Sequence, residues 1–216
     1  MGGTPTLAAV MALGDAIKSI TPLLAEFNFR KRAGQIFTAE IADDALGWLG
    51  LNQASRHRPA GEVEINPVVG MRHQGVERIV AECRGERFHA YQPPTVSTPL
   101  GYLLPESGYR AWMFGNDRSA EGVAQELVRT IAQYGVPFMH STAALPELCH
   151  RLDEGMGFEH QVMYRRPVAW LLVGDPRRAE NILDETLAEL ADRSDVAAEE
   201  FRRFGATLKS RTQEWS

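Results

Sequence analysis

After "YRAWMF" at residues 109 to 114, apolar residues cease to alternate and instead recur every three or four positions. A period of two puts successive side chains on opposite faces of a strand, whereas a period near 3.6 draws one stripe along a helix. The change therefore predicts sheet before it and helices after it. From Pro137 onward only the helical period remains.

The strands can be read one by one. "QIFTAEI", "ALGWLGLNQAS" and "GEVEINPVVGM" are short and rich in β-formers, and Pro59-Ala60-Gly61 can turn the second back onto the third. Alternation puts Leu49, Leu51, Val63 and Ile65 on an inner face, with Glu62, Glu64 and Asn66 opposite. Ahead of them, Val10, Leu13, Ile17, Ile20, Leu24 and Phe27 make the stripe of an amino-terminal helix that Pro22 can bend or divide. "GVERIVAEC" predicts a short helix with Val76, Ile79, Val80 and Cys83 inward. The proline-rich run from His89 to Gly108 predicts a long loop carrying one strand, Leu100 to Leu104.

In the later part, Ser119 reads as the cap of a helix with Val123, Leu127 and Ile131 on its apolar face, and Gly135 stands where it would end. Asp175-Pro176 is a second start signal, a capping carboxylate followed by a proline that needs no amide hydrogen at the first helical position. Ala179, Ile182, Leu183, Leu187 and Leu190 form the stripe behind it, and Ala197, Phe201, Phe204 and Leu208 that of the last helix. The expected class is α+β: an antiparallel sheet packed against an amino-terminal helix, followed by a carboxy-terminal helical bundle or hairpin. The expected division is an α+β domain over residues 1–140 and an all-helical extension over 141–216.

The charge balance, 28 Asp and Glu against 23 Lys and Arg, is mildly acidic. It disfavours nucleic acid as a partner and leaves any electrostatic recognition to a local patch. Cys83 and Cys149 show neither metal nor redox spacing and read as reduced, partly buried thiols. The amino terminus lacks the basic leader of a secretory signal and no run is long enough to span a membrane, so a cytoplasmic protein without membrane contact is the expectation.

At "ITPLLAEFNFRKRAGQIFTAEI", "WLGLNQASRH" and "VEINPVVGM" the chain resembles the bacterial DUF4304 domain, a family of unknown function. The resemblance falls on Phe29, Lys31, Phe37, Gln53, Ser55, Asn66 and Gly70 and covers roughly residues 10 to 140. Asn28 stands where that pattern has glycine, and Pro67 interrupts its run from asparagine to glycine. The resemblance implies an immunity-like or regulatory binding role beside bacterial toxin systems.

Catalytic signatures are incomplete. Ser55, His57 and Glu64 could sit on neighbouring strands, but no nucleophile elbow surrounds the serine. His57, His73 and His89 have no metal-ligand spacing, and the glycines follow neither dinucleotide nor Walker patterns, so no metal or cofactor is expected. What remains is charge. Arg56, His57, Arg58, Arg72 and His73 lie at the ends of adjacent predicted elements and could form a positive patch for an acidic protein partner. The leading expectation is thus a non-enzymatic bacterial binding protein. The alternative is a small-ligand protein or hydrolase with a polar pocket at the central sheet, built from Gln53, Glu64, Asn66 and Arg110.

Overall fold

The computed structural model describes residues 7–53, 62–115 and 119–215. The fold is α+β, with an antiparallel sheet after the amino-terminal helix and helices at the carboxy end. Helix α1 spans Leu7–Ala25, followed by strands β1 (Arg30–Lys31), β2 (Ile36–Ala42), β3 (Ala45–Gln53) and β4 (Val63–His73), and then helix α2 (Gln74–Arg84). Strand β5 (Val96–Pro99), a short 3-10 turn and β6 (Trp112–Phe114) complete the strands. Helices α3 (Ala120–Thr130), α4 (Val136–Thr142), α5 (Leu145–Asp153), α6 (Glu159–Leu172), α7 (Pro176–Glu189) and α8 (Val196–Trp215) follow. The sheet is a meander in the order β1-β2-β3-β4-β5, with β6 antiparallel to the start of β4.

The chain forms two compact units, residues 1–70 with 98–140, and residues 71–97 with 141–216. The 71–97 segment packs with the carboxy-terminal helices, α2 against α6 and α8.

In the first unit, register follows from the pleat. Phe37 pairs with Leu49 and Thr38 with Trp48 across β2 and β3, and Val63 pairs with Phe114 across β4 and β6. Leu49, Leu51, Val63 and Ile65 are fully buried, as their alternation predicts. Helix α1 packs along α3 and reaches β1 and β6. Pro22 lies inside α1, while Phe27, assigned by periodicity to the stripe, is 43% exposed because the helix ends at Ala25. Asn28 adopts a positive φ of 62° just beyond that end, a conformation asparagine tolerates better than other side chains and glycine tolerates freely. Gly47 has a packing reason: a Cβ there would lie 2.8 Å from the sulfur of Met139 on α4.

Two local expectations need correction in this unit. Leu100–Leu103 is a 3-10 turn, not a strand, because the chain folds back so closely that Gly101 has no room for a Cβ beside the Gly108 carbonyl. Gly135 does not end a helix: α3 continues through a π turn, Ile131–Gly135, into α4. Pro137 supplies the reason, since it has no N–H for the carbonyl four residues back and its ring crowds that group, which a widened turn relieves. Glu64, on the face of β4 opposite Val63 and Ile65, is 5% exposed, so that face is covered as well.

The second unit is built on α6, which packs against α2, α5, α7 and α8. Asp175 caps α7 as its sequence predicts, accepting from the Arg178 N–H at 2.9 Å. Tyr164 of α6 meets Phe201 and Phe204 of α8 with ring centroids 5.4 and 5.0 Å away. The α8 stripe runs through Ala198, not Ala197, and Leu187 is only half-buried whereas Leu183 is fully buried. Cys83 and Cys149 are buried free thiols, and burial pushes the Cys149 thiol up to about 11. No helix among the described residues is long and apolar enough to cross a membrane.

Candidate functional site

The second unit begins where β4 hands the chain to α2, and there the sequence places Arg72, His73, Gln74 and Glu77 in one turn. His73 caps α2: its Nδ1 accepts from the Val76 N–H at 3.3 Å. Its own backbone N–H donates to Thr95 Oγ1 at 2.9 Å, and that hydroxyl donates to Glu77 Oε1 at 2.8 Å. Glu77 lies in the first turn of α2, where the helix dipole favours a carboxylate.

Two arginines share this one carboxylate. Arg165, from α6, approaches Glu77 with Nε at 2.7 Å from Oε1 and Nη2 at 3.2 Å from Oε2, and its Nη1 donates to the Thr95 carbonyl at 3.2 Å. Arg72 Nη1 lies 3.4 Å from Glu77 Oε2. Arg72 also holds the segment after α2: it donates to the carbonyls of Pro93 and His89, and to the side chain of Gln74, which in turn donates to the Ala90 carbonyl at 2.7 Å. Arg72 and Arg165 are 1% and 2% exposed and Glu77 is 7% exposed, so this cluster carries one excess positive charge out of contact with solvent. Burial lowers the Arg72 pKa to about 10, against the pull of Glu77 and with the like charge of Arg165 acting in the same direction as burial. Arg165 is lowered for the same first reason. Arginine keeps its proton in proteins, so both side chains are charged at neutral pH.

A cavity of about 90 Å³ adjoins this cluster, with Arg72, Glu77 and Arg165 among its walls. Arg84, Arg87 and Gln161 line it as well. Arg84 is balanced by Glu86 at 2.8 Å and Glu200 at 3.8 Å, and its guanidinium lies 4.4 Å from the centre of the Tyr164 ring. Arg87 has no ion-pair partner among the described residues. Gln161 Oε1 is buried without a hydrogen-bond partner. With Glu77 and Glu86 counted against four arginines, the lining is net positive by two charges. One of these charges is buried with Arg72 and Arg165, where lack of a counter-charge is costly, and the other is on the exposed Arg87, so the cavity favours an anion that reaches the buried one.

The residues expected to bind are distributed differently. Arg56, His57 and Arg58 lie outside the described residues, as does Ser55. Arg72 and His73 are corrected from surface patch to interior: the first holds carbonyls and Glu77, and the second caps a helix. Two of the four residues of the expected sheet pocket have separate engagements. Glu64 accepts from Tyr109 Oη at 2.6 Å, while Arg110 is exposed, pairs with Glu126 at 3.0 Å and lies over Trp112. Gln53 and Asn66 are half-buried on β3 and β4. Among the described residues no group of three or more His, Cys, Asp and Glu could hold a metal ion.

Glu77, Thr95 and Arg165 escaped the sequence reading. One signal was available for Arg165: it falls between Tyr164 and Val168, on the face of α6 that is buried, so an arginine occupied a core position of an amphipathic helix. Nothing local links it to Glu77, 88 residues earlier.

No protein-family model, curated protein or solved structure matches the chain.

Proposed function

We propose that this protein is a binding protein for a small anionic ligand, held in the arginine-lined cavity beside α2 and α6. The observation that carries the reading is the sharing of Glu77 by two buried arginines at the wall of a cavity that also holds Arg84 and Arg87. Excess buried charge with space beside it favours a counter-ion, and Arg87, which has no ion-pair partner among the described residues, offers that ion a fork of donors. This reading keeps the binding-protein class and moves the ligand alternative from the sheet to the helical unit.

Titration calorimetry tests it with the full chain, using inorganic phosphate, sulfate, acetate and benzoate at constant ionic strength. Saturable binding of at least one anion at one site per chain is expected, accompanied by a rise in melting temperature, since a ligand bound only by the folded state stabilises it. Heats and melting curves indistinguishable from the salt control for every anion would remove the reading.

A further inference from the structure

We infer that the ligand's anchoring group is a doubly charged tetrahedral oxyanion, a phosphate or phosphomonoester, in place of a carboxylate; this rests on the anion-binding reading above. Charge placement is the first argument. One excess positive charge lies in the buried cluster of Arg72 and Arg165 about Glu77, and a second lies on the exposed Arg87 of the cavity lining, which has no counter-ion among the described residues. Arg84 adds none, being balanced by Glu86. A monocarboxylate would answer the buried charge and leave Arg87 to water; a dianion engages both.

Hydrogen-bonding capacity points the same way. A carboxylate offers two oxygens in a plane, whereas a phosphoryl group presents three in a cone, suited to donors that converge from separate elements. Here the groups come from the end of β4, from α2, from the segment after it and from α6. The Gln161 amide end, whose buried oxygen has no protein partner, can serve in either orientation. In one orientation it donates through NH₂ to either oxyanion, and in the other it accepts from the single hydroxyl of hydrogen phosphate, which a phosphomonoester dianion lacks. Arg72 contributes in a second way. By occupying the carbonyls of His89 and Pro93 it turns acceptors that would repel an oxyanion toward its own guanidinium. The cavity's roughly 90 Å³ accommodates a group the size of a few water molecules, so it takes the anionic head and leaves the rest of a larger ester outside.

The experiment compares inorganic phosphate and phenyl phosphate with acetate and benzoate by calorimetry at pH 7.5 and constant ionic strength, using the wild type, Arg87→Gln and Gln161→Ala. Both substitutions lie at the cavity without entering the buried ion cluster, and melting curves check that each variant is folded. Expected are phosphates binding at least about 10-fold tighter than the matching carboxylates, and a loss of about 10-fold or more in phosphate affinity for Arg87→Gln, in line with a charge-assisted hydrogen bond. Gln161→Ala should lose less. Binding of inorganic phosphate alone assigns the free ion, binding of phenyl phosphate assigns the ester, and either supports the inference. Carboxylates binding as tightly as phosphates would overturn it while leaving the anion-binding reading intact. Phosphate affinity unchanged in both variants would overturn it too, by placing the phosphate elsewhere. Failure of all four compounds to bind would remove the underlying reading itself.

Discussion

The first unit closes on apolar surfaces, and the second closes partly on charge. Among the described residues of the sheet unit the buried polar side chains are Thr38, which accepts from Arg32 Nε at 2.8 Å, and Glu64, which accepts from Tyr109. Around them lie Phe37, Leu49, Leu51, Val63 and Ile65, all fully buried. In the helical unit Arg72, His73, Glu77, Thr95 and Arg165 form one connected interior network beside an aromatic cluster. Apolar packing loses stability in proportion to what is removed, but a buried ion network fails sharply when one member leaves the others uncompensated. A scaffold alone has no need of two arginines on one buried carboxylate, and the contrast is the main physical reason to look for function in the helical unit.

The largest expected effect tests that contrast directly. Glu77→Gln would strand two buried guanidinium ions, and urea unfolding should show a loss of about 3–5 kcal/mol. Arg165→Met should cost less, because Arg72 and Glu77 would remain as a neutral pair. If the two substitutions are equal in effect, the cluster carries no excess charge and the anion reading loses its foundation.

Next are the apolar deletions. Leu51→Ala in the sheet unit and Leu183→Ala in the helical unit, both fully buried, should each lose about 2–5 kcal/mol in the same assay. Leu187→Ala should lose less than Leu183→Ala, since Leu187 is only half-buried. A larger loss at Leu187 would mean that this face of α7 is covered in solution by something further.

A smaller, pH-dependent effect belongs to Asp153 at the end of α5. Burial would raise its pKa, but hydrogen bonds from Arg166, Arg178 and Trp170 outweigh that and hold it below the ordinary carboxylate value. A group depressed in the folded state contributes stability that is present above its unfolded pKa and is lost as pH falls through the folded one. Asp153→Asn should therefore cost on the order of 1–3 kcal/mol near neutrality and progressively less as the wild type is acidified below pH 4. Parallel pH profiles for the two proteins would show that Asp153 is not the acid-sensitive group.

How much of this was legible in the sequence follows from the same contrast. Alternation identified Leu49, Leu51, Val63 and Ile65, and capping chemistry identified Ser119 and Asp175, because each rests on neighbours a few residues apart. The π turn before Pro137 and the 3-10 turn at Leu100 were missed because each depends on a conflict that only the folded backbone produces. The site was harder still. Arg72 and His73 were singled out for their charge, but their charge was assigned to the surface, and only contact with Thr95, Glu77 and Arg165 brings them inside. Local period cannot reveal a pair that meets across 88 residues.

The smallest expected effect comes from an ion pair in the sheet unit that resembles the buried one in chemistry and differs from it in surroundings. Arg110 and Glu126 meet at 3.0 Å, but their side chains are 46% and 50% exposed. Water and salt screen such a pair, and the ordering of two long side chains offsets much of its attraction, so Arg110→Gln should cost no more than about 1 kcal/mol. Part of that loss belongs to the contact of the guanidinium with the Trp112 ring, 5.4 Å away, which glutamine cannot replace. A double-mutant cycle with Glu126→Gln separates the two. The coupling energy should shrink as salt is raised, while the remainder assigned to the ring should not. A coupling that approaches the buried-pair value, or that ignores salt, would mean this surface is desolvated in solution and would end the distinction between an apolar unit and a charged one.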